Sequence, residues 1–156
     1  MGVSGSGKTT VGAALADALG LRFVDGDALH PAANVAKMAA GIPLDDDDRA
    51  PWLDAIGSEL AAGPVVVACS ALKRAYRDRL RDAAPSLQLV FLDGSPQLLA
   101  SRMAARPGHF MPTTLLDSQL ATLERPGPDE HALMADIAAP SGEIVSSLAE
   151  RMMTDG

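Results

Sequence analysis

The first ten residues constrain the fold of this chain more than any other segment does. They contain the pattern G-x-x-x-x-G-K-[ST], whose fixed places are filled by Gly2, Gly7, Lys8 and Thr9. In this pattern the chain leaves a strand, wraps its backbone N–H groups around a phosphate and enters a helix whose N-terminus carries partial positive charge. The sequence therefore predicts a phosphate-binding loop within an α/β fold.

The residues after the loop distinguish this prediction from a flexible glycine- and serine-rich terminus, which is common at chain ends. Val11, Leu15, Ala18 and Leu19 lie on one face at helical spacing, and Gly20 supplies a stop. A loop that runs directly into an amphipathic helix is the context that the pattern requires. We therefore favour the phosphate-binding interpretation.

The pattern also assigns roles to the side chains of the loop. Lys8 is expected to reach the β- and γ-phosphates of a nucleotide, and the hydroxyl of Thr9 is expected to sit on Mg²⁺. The candidate nucleotide-binding residues are Gly2, Ser4, Gly5, Ser6, Gly7, Lys8, Thr9 and Thr10.

Composition and charge exclude several classes of protein. A length of 156 residues with 47% hydrophobic residues predicts one globular domain spanning 1–156, and the net charge of −7 argues against nucleic-acid binding. The single cysteine, Cys69, excludes an internal disulfide framework and suits a reducing compartment. Because the sequence shows no signal peptide and no apolar run long enough to span a bilayer, we expect a cytoplasmic protein without membrane contact.

Short apolar segments alternate with helical segments, which predicts right-handed crossovers and a parallel sheet covered on both faces. We therefore expect a three-layer α/β/α fold. The predicted strands are 21–24, 64–69, 87–92 and 134–138. The predicted helices are 8–19, 31–40, 48–62, 72–84, 96–106, 112–122 and 142–153.

Two segments lie outside this minimal core. Residues 28–62 form a helical insertion between the predicted strands 21–24 and 64–69, and residues 102–112 contain a Pro-Gly break among basic side chains. Arg102 and Arg106 are four residues apart, and His109 follows them. Arginines on a closing lid stabilise charge on a transferring phosphoryl group. The alternative is a helix end whose basic residues complement the helix dipole.

Two carboxylates follow the first predicted strand, in the segment Asp25-Gly-Asp27. Ligands of parallel sheets bind beyond the carboxyl ends of the strands, so both acids are expected to face the phosphate loop. One carboxylate can hold Mg²⁺ through its water shell, and the other can orient an attacking hydroxyl or accept its proton. Asp-Gly is also a frequent turn pair, so an ordinary polar turn is the alternative.

Cationic side chains near two further element ends are candidates for holding an acidic substrate. Arg49 follows the acidic run Asp45–Asp48, which would itself cap a helix, and Arg49 is equally suited to a surface pair with one of those acids. Ser70 lies at the carboxyl end of the predicted strand 64–69. Lys73 and Arg77 follow it at i,i+4 spacing. A solvated basic face is the alternative for this pair.

Motifs along nearly the whole chain also carry a family resemblance. The matching segments are Gly2–Thr9, Asp25-Gly-Asp27, His30-Pro31, Asn34, Lys37-Met38, Gly41, Pro43-Leu44, Asp46–Arg49, Pro51-Trp52-Leu53, Cys69–Lys73, Tyr76-Arg77, Gly108–Phe110, Thr122–Glu124 and Pro126-Gly127. The phosphate loop alone is shared by many families, whereas the Asp-Gly-Asp-x-x-His-Pro, Asp-Asp-Asp-Arg and Cys-Ser-Ala-Leu-Lys segments are far more specific. With these segments the chain resembles the gluconokinases of the small P-loop type.

The resemblance implies ATP- and Mg²⁺-dependent phosphorylation of D-gluconate at its 6-hydroxyl, on the fold of shikimate and adenylate kinases. It implies that Asp25 helps to hold Mg²⁺ and that Asp27 orients the hydroxyl. Another small-molecule kinase, or a nucleotide-binding module that has lost catalysis, is the alternative, and a homodimer is one oligomeric state open to the family. The implied acceptor site comprises Asp27, His30, Arg49, Ser70, Lys73 and His109, and the implied catalytic cations are Lys8, Arg102 and Arg106.

The chain departs from the family at its first strand. An apolar strand should precede the phosphate loop at the centre of the sheet, yet only Met1 precedes Gly2. A missing central strand leaves the backbone groups of its two neighbours unpaired, which is costly when they are buried. We therefore expect that the true start lies upstream or that the fold is compromised.

Overall fold

The computed structural model describes residues 1–105 and 113–155, which form an α/β structure. The strands are β1 (Arg22–Asp25), β2 (Val65–Ala68), β3 (Val90–Asp93) and β4 (Leu133–Asp136). The α-helices are α1 (Lys8–Leu19), α2 (Ala32–Ala39), α3 (Asp46–Ala61), α4 (Arg74–Ala83), α5 (Pro96–Ala104), α6 (Thr113–Thr122) and α7 (Ser141–Thr154). No helix in the described part of the chain is long and apolar enough to cross a membrane.

The predicted order of elements is confirmed, and the differences are local. The third strand begins at Val90, three residues later than the sequence pattern predicts. The structure also adds two 3₁₀ helices that the pattern did not predict, at Gly26–Leu29 and Pro128–Glu130. Hydrophobic periodicity does not detect elements of one turn, because they are too short to show a repeat.

The strands form two parallel pairs instead of one continuous sheet. β1 pairs with β2, and β3 pairs with β4. Helix α1 contacts β1, β2 and α7, whereas α3 contacts β2 and α4. The apolar side chains accordingly form two clusters, one around Leu15 and Leu99 and the other around Trp52 and Ile56.

Met1 and Gly2 are the parts of the chain that connect the two pairs of strands. The amine of Met1 donates to the backbone oxygen of Val90 at 2.6 Å, and the N–H of Leu92 donates to the oxygen of Met1 at 3.0 Å. On the other side, the N–H of Gly2 donates to the oxygen of Ser70 at 3.3 Å. These bonds follow a parallel ladder, so Met1 and Gly2 are the last residues of a central strand position between β2 and β3.

The rest of that strand position is a cavity of about 660 Å³. Burial there lowers the pKa of the Met1 amine to about 6. The expectation of an α/β fold with parallel strands is confirmed, and within the described residues Met1 and Gly2 occupy the position between β2 and β3. Apolar residues from β2, α1, α3 and the segment entering β3 line the cavity, among them Val11, Leu15, Ile56, Val65, Val67 and Leu89.

A buried ion pair joins α4 to the segment before β4. The guanidinium of Arg77 is 0% exposed and donates to both carboxylate oxygens of Glu130, at 2.7 and 3.0 Å, and to the backbone oxygens of Ala71 and Leu72. Arg77 therefore holds the loop between β2 and α4. It is neither a substrate cation nor part of a solvated face, because all of its bonds go to buried protein groups.

Stability is expected to fall in acid through Glu130. Arg77 lowers the pKa of Glu130 from 4.5 to about 2. Because this folded pKa lies below the unfolded value, the stabilisation is complete above pH 4.5 and is lost as the pH falls towards 2, a loss of about 3 kcal/mol. Urea unfolding between pH 7 and pH 3 measures about two thirds of this loss, because folded Glu130 is still largely ionised at pH 3. Glu130→Gln should flatten this slope, whereas Glu143→Gln, at an exposed helix start, should leave it unchanged; equal slopes in both variants would contradict the assignment.

Candidate functional site

The phosphate loop adopts the conformation that its sequence predicts. Gly5 and Gly7 have φ values of 82° and 89°, in the left-handed region where glycine is favoured, and α1 starts directly after Gly7. The hydroxyl of Ser6 and the ammonium of Lys8 both donate to the backbone oxygen of Val3, at 2.7 and 3.0 Å. Lys8 therefore lies over the loop, within reach of an anion that the loop holds.

Gln119 is a contact of this loop that the sequence analysis missed. Its side-chain oxygen accepts from the N–H of Ser4 at 2.7 Å, across 115 residues of sequence. One of the candidate phosphate-binding N–H groups is therefore hydrogen-bonded to a side chain of α6. No local pattern around Gln119 marks this contact, because it depends on how α6 packs against the loop.

The two carboxylates after β1 lie beside the start of α1. The Thr9 hydroxyl is 3.5 Å from Oδ2 of Asp25, and Oδ1 of Asp25 accepts from the N–H of Asp27 at 3.0 Å. Asp27 is exposed, and no described residue pairs with its carboxylate. Mg²⁺ in nucleotide sites is held by one or two protein oxygens together with waters and phosphates, so Thr9 and Asp25 fit it.

Close backbone packing fixes the turn that carries Asp27. An added Cβ on Gly26 would lie 2.6 Å from the backbone oxygen of Ala68, so only glycine allows this approach to the end of β2. The indole N–H of the buried Trp52 donates to the Gly26 oxygen at 2.8 Å. Asp27 is therefore held by both β2 and α3, and the turn is more than a surface connection.

The two cations expected to meet an acidic substrate, Arg49 and Lys73, lie together around Tyr76. The charged groups of both lie 5.6 Å from the centre of its ring. Arg49 donates to the Tyr76 hydroxyl at 3.1 Å, and the hydroxyl and Lys73 both donate to Asp46, at 2.5 and 3.2 Å. These bonds lower the pKa of Asp46 and raise that of Lys73. The arrangement has two positive charges and one negative charge.

The acidic residues at the start of α3, Asp45–Asp48, have separate roles. Asp45 caps the helix and forms a capping box with Asp48, as the helix-start interpretation predicts. Asp48 also pairs with Lys37 at 2.8 Å, which lowers the pKa of Asp48. Asp46 joins the Tyr76 cluster, and Arg49 reaches it through the Tyr76 hydroxyl. The structure thus settles which acid meets which cation.

His30 follows the Asp27 turn, and its backbone N–H donates to the Asp27 oxygen at 3.4 Å. Its ring stacks on Trp52 with centroids 4.5 Å apart and planes 8° apart. Burial lowers the pKa of His30, the charge of Asp27 raises it, and Arg49 lowers it. Asp27 and Arg49 therefore act on the charge of His30 in opposite directions.

Two of the remaining candidate site residues lie in the described part of the chain, and two lie outside it. Ser70 is half-buried beside the loop, and its backbone oxygen accepts from Gly2. The guanidinium of Arg102, in α5, donates to the backbone oxygen of Ile137. Arg106 and His109 lie outside the described residues, as does most of the expected lid. The catalytic roles of the three lid residues remain predictions.

Comparisons with known proteins show which family the chain resembles. A family model described as an AAA domain matches residues 1–126. The chain is 56% identical to the gluconokinase of Gluconobacter oxydans (strain 621H) over 135 residues, which is 83% of this chain and 76% of that protein. The crystal structure of a gluconokinase from Sinorhizobium meliloti 1021 is 54% identical and has a TM-score of 0.89, covering 100% of this chain and 94% of the other.

A more distant structure confirms the fold alone. The shikimate kinase of Aquifex aeolicus vf5 is 15% identical with a TM-score of 0.62, over 99% of this chain and 94% of that one. The fold that carries the phosphate loop, the paired carboxylates and the clustered cations is shared by small P-loop kinases. The sequence identities of 56% and 54% over most of the chain are to gluconokinases. The chain belongs to the gluconokinase family.

Proposed function

We propose that this chain transfers the γ-phosphoryl group of ATP to the 6-hydroxyl of D-gluconate, giving 6-phospho-D-gluconate and ADP. The observation that carries the proposal is the placement of Arg49 and Lys73 together around the Tyr76 ring. A sugar acid needs a cation for its carboxylate and a carboxylate near its reacting hydroxyl. The family of the chain supports the same substrate.

The residues divide the work between donor and acceptor. The N–H groups of residues 2–10 and the ammonium of Lys8 would hold the phosphates, while Thr9 and Asp25 would hold Mg²⁺, which neutralises phosphate charge. Asp27 would orient the 6-hydroxyl and accept its proton. Arg102 and Arg106 would stabilise charge on the transferring group when the lid segment closes.

Local charge resolves an apparent conflict between substrate and protein. The net charge of −7 would repel an anion such as gluconate at long range. Exposed charges farther apart than about 8–10 Å are largely screened at physiological salt, whereas charges within one cleft act directly. The surplus positive charge at Tyr76 therefore determines binding more than the net charge does.

A substrate panel tests the proposal. ADP release, measured in a coupled assay with ATP and Mg²⁺, should depend on gluconate and be weak with shikimate, glucose or other sugar acids. Turnover with another acceptor and none with gluconate would replace the substrate. Nucleotide binding without turnover on any acceptor would favour a nucleotide-binding module.

Arg49→Met and Lys73→Met should each raise the KM for gluconate by about tenfold or more, because a charge-assisted hydrogen bond to a carboxylate contributes about 1.5–3 kcal/mol. The affinity for ATP should stay the same. Arg79→Met is the matched control, since Arg79 is an exposed arginine that pairs with Asp54. An unchanged KM in both test variants would remove these cations from the acceptor site.

The phosphoryl donor, ATP, indicates the compartment in which the chain would act. We propose that the chain acts in the cytoplasm, where ATP is available and where the buried thiol of Cys69, whose pKa is raised by burial, stays reduced. A homodimer remains a prediction that sedimentation of the purified protein tests.

A further inference from the structure

The buried side chain of Asn34 connects His30 to the first turn of α3. Asn34 is 3% exposed, and its amide nitrogen lies 2.8 Å from the backbone oxygen of Asp48 and 3.2 Å from Nδ1 of His30. A backbone oxygen only accepts hydrogen bonds, so the Asn34 atom that faces Asp48 must be the nitrogen. A backbone group thereby sets the orientation of the carboxamide.

The same nitrogen determines which imidazole nitrogen carries the proton. A carboxamide nitrogen has two hydrogens to donate and does not accept, so Nδ1 of His30 must be the acceptor. In a neutral imidazole whose Nδ1 accepts, the proton is on Nε2. The burial that lowers the pKa of His30 favours this neutral ring.

Trp52 holds the imidazole ring of His30 in place and also fixes the turn that carries Asp27. Trp52 stacks on His30 and donates to the Gly26 oxygen, so one indole joins the imidazole to the turn before Asp27. Nδ1 faces a buried side chain, so the accessible edge of this half-buried ring carries Nε2. Among residues 1–105 and 113–155, none is seen to accept from Nε2.

We propose that Asn34 is a positioning residue that keeps His30 as the Nε2–H tautomer, so that the ring offers an N–H donor to a hydroxyl oxygen of the acceptor. This use of the donor rests on the proposed function, because a polyhydroxy acid supplies such oxygens. A ring in this form binds and orients the acceptor and has no free lone pair on Nε2 to act as a base. Proton acceptance is thereby left to Asp27.

Nitrogen NMR tests the tautomer without any substrate. Long-range ¹H–¹⁵N spectra of the intact protein should show His30 with an unprotonated Nδ1 and a protonated Nε2 near neutral pH, with the signals assigned by their loss in His30→Gln. Asn34→Asp replaces the donor by a carboxylate, which should move the proton to Nδ1 and raise the pKa of His30. A protonated Nδ1 in the parent protein would overturn the proposal.

Two substitutions of His30 test the use of the donor. The Gln amide nitrogen reaches the position of Nε2, whereas that of Asn reaches only the position of Nδ1. His30→Gln should keep the KM for gluconate within about fivefold, and His30→Asn should raise it about tenfold or more, with smaller changes in kcat. Equal KM values, or a lower one for Asn, would overturn the contact.

The two readouts separate the possible failures. A parent protein that turns over no gluconate would contradict the proposed function, while the nitrogen spectra would still decide the tautomer. The spectra could show the proton on Nε2 while His30→Gln and His30→Asn differ in stability but not in the KM for gluconate. That result would contradict the donor role alone.

Discussion

A version of the chain with an apolar strand of about five residues added before Met1 is expected to unfold about 10–20 °C above the 156-residue chain. The added segment would continue the ladder that Met1 already begins with Val90 and Leu92. It would fill the 660 Å³ cavity and join the two strand pairs into one five-stranded parallel sheet.

The expected gain follows from burial and hydrogen bonding. Burying five Val, Ile or Leu side chains contributes about 10 kcal/mol, and ordering five residues costs about 7 kcal/mol. Backbone bonds to the facing edges of β2 and β3 add roughly 0.5–1.5 kcal/mol each. A net gain of about 5 kcal/mol corresponds to the stated shift at about 2–4 °C per kcal/mol. The extension also converts the buried amine of Met1 into an uncharged backbone amide, which raises the stability of the folded state further.

A polar segment of the same length provides the control. Gly and Ser residues before Met1 carry no apolar side chains for the cavity, so the melting temperature should stay close to that of the 156-residue chain. Calorimetry on the three proteins measures the effect, and ATP affinity should follow stability because the same strand positions the phosphate loop. Equal melting temperatures for the apolar and polar additions would show that the cavity is not a strand position.

Asp27→Asn is expected to lower kcat by about 10²–10⁴-fold while the affinity for ATP changes little. The asparagine amide cannot accept the proton of the attacking hydroxyl at neutral pH. Its size is nearly that of the carboxylate, and the backbone contacts of Gly26 with Trp52 and β2 are unaffected. The loss therefore falls on the chemical step.

Asp47→Asn is the matched control for this variant, because Asp47 is an exposed acid in the first turn of α3 and the charge change is the same. Its kcat should remain within about twofold of the parent value, as expected for an exposed site away from the chemistry. Single-turnover kinetics and ATP titration separate chemistry from binding. Normal turnover in Asp27→Asn would remove Asp27 from the reaction.

Sequence periodicity predicted the elements well because this chain has strong local signals. The Val65–Ala68 strand is a continuous apolar run, and α1 begins after a glycine whose φ is positive and ends at another. Most predicted element ends lie within two residues of the observed ones. Signals of this kind depend on a few neighbouring residues, so no tertiary information is needed to read them.

The partners of charged side chains were not predictable in this way. Arg77 and Lys73 share a helical spacing, yet Arg77 is buried against Glu130 whereas Lys73 reaches Asp46. Which of the two faces a substrate depends on the position of the segment before β4, more than fifty residues away. Gln119 lies on the phosphate loop for the same reason.

The sequence by itself determined the phosphate loop, the order of strands and helices and the family, because each rests on contiguous residues. Only the tertiary structure decided the orientation of His30, the pairing of Arg49 with Tyr76 and the two half-sheets with a cavity between them. These features arise from contacts between distant segments, and packing geometry selects them from several pairings that the same residues allow.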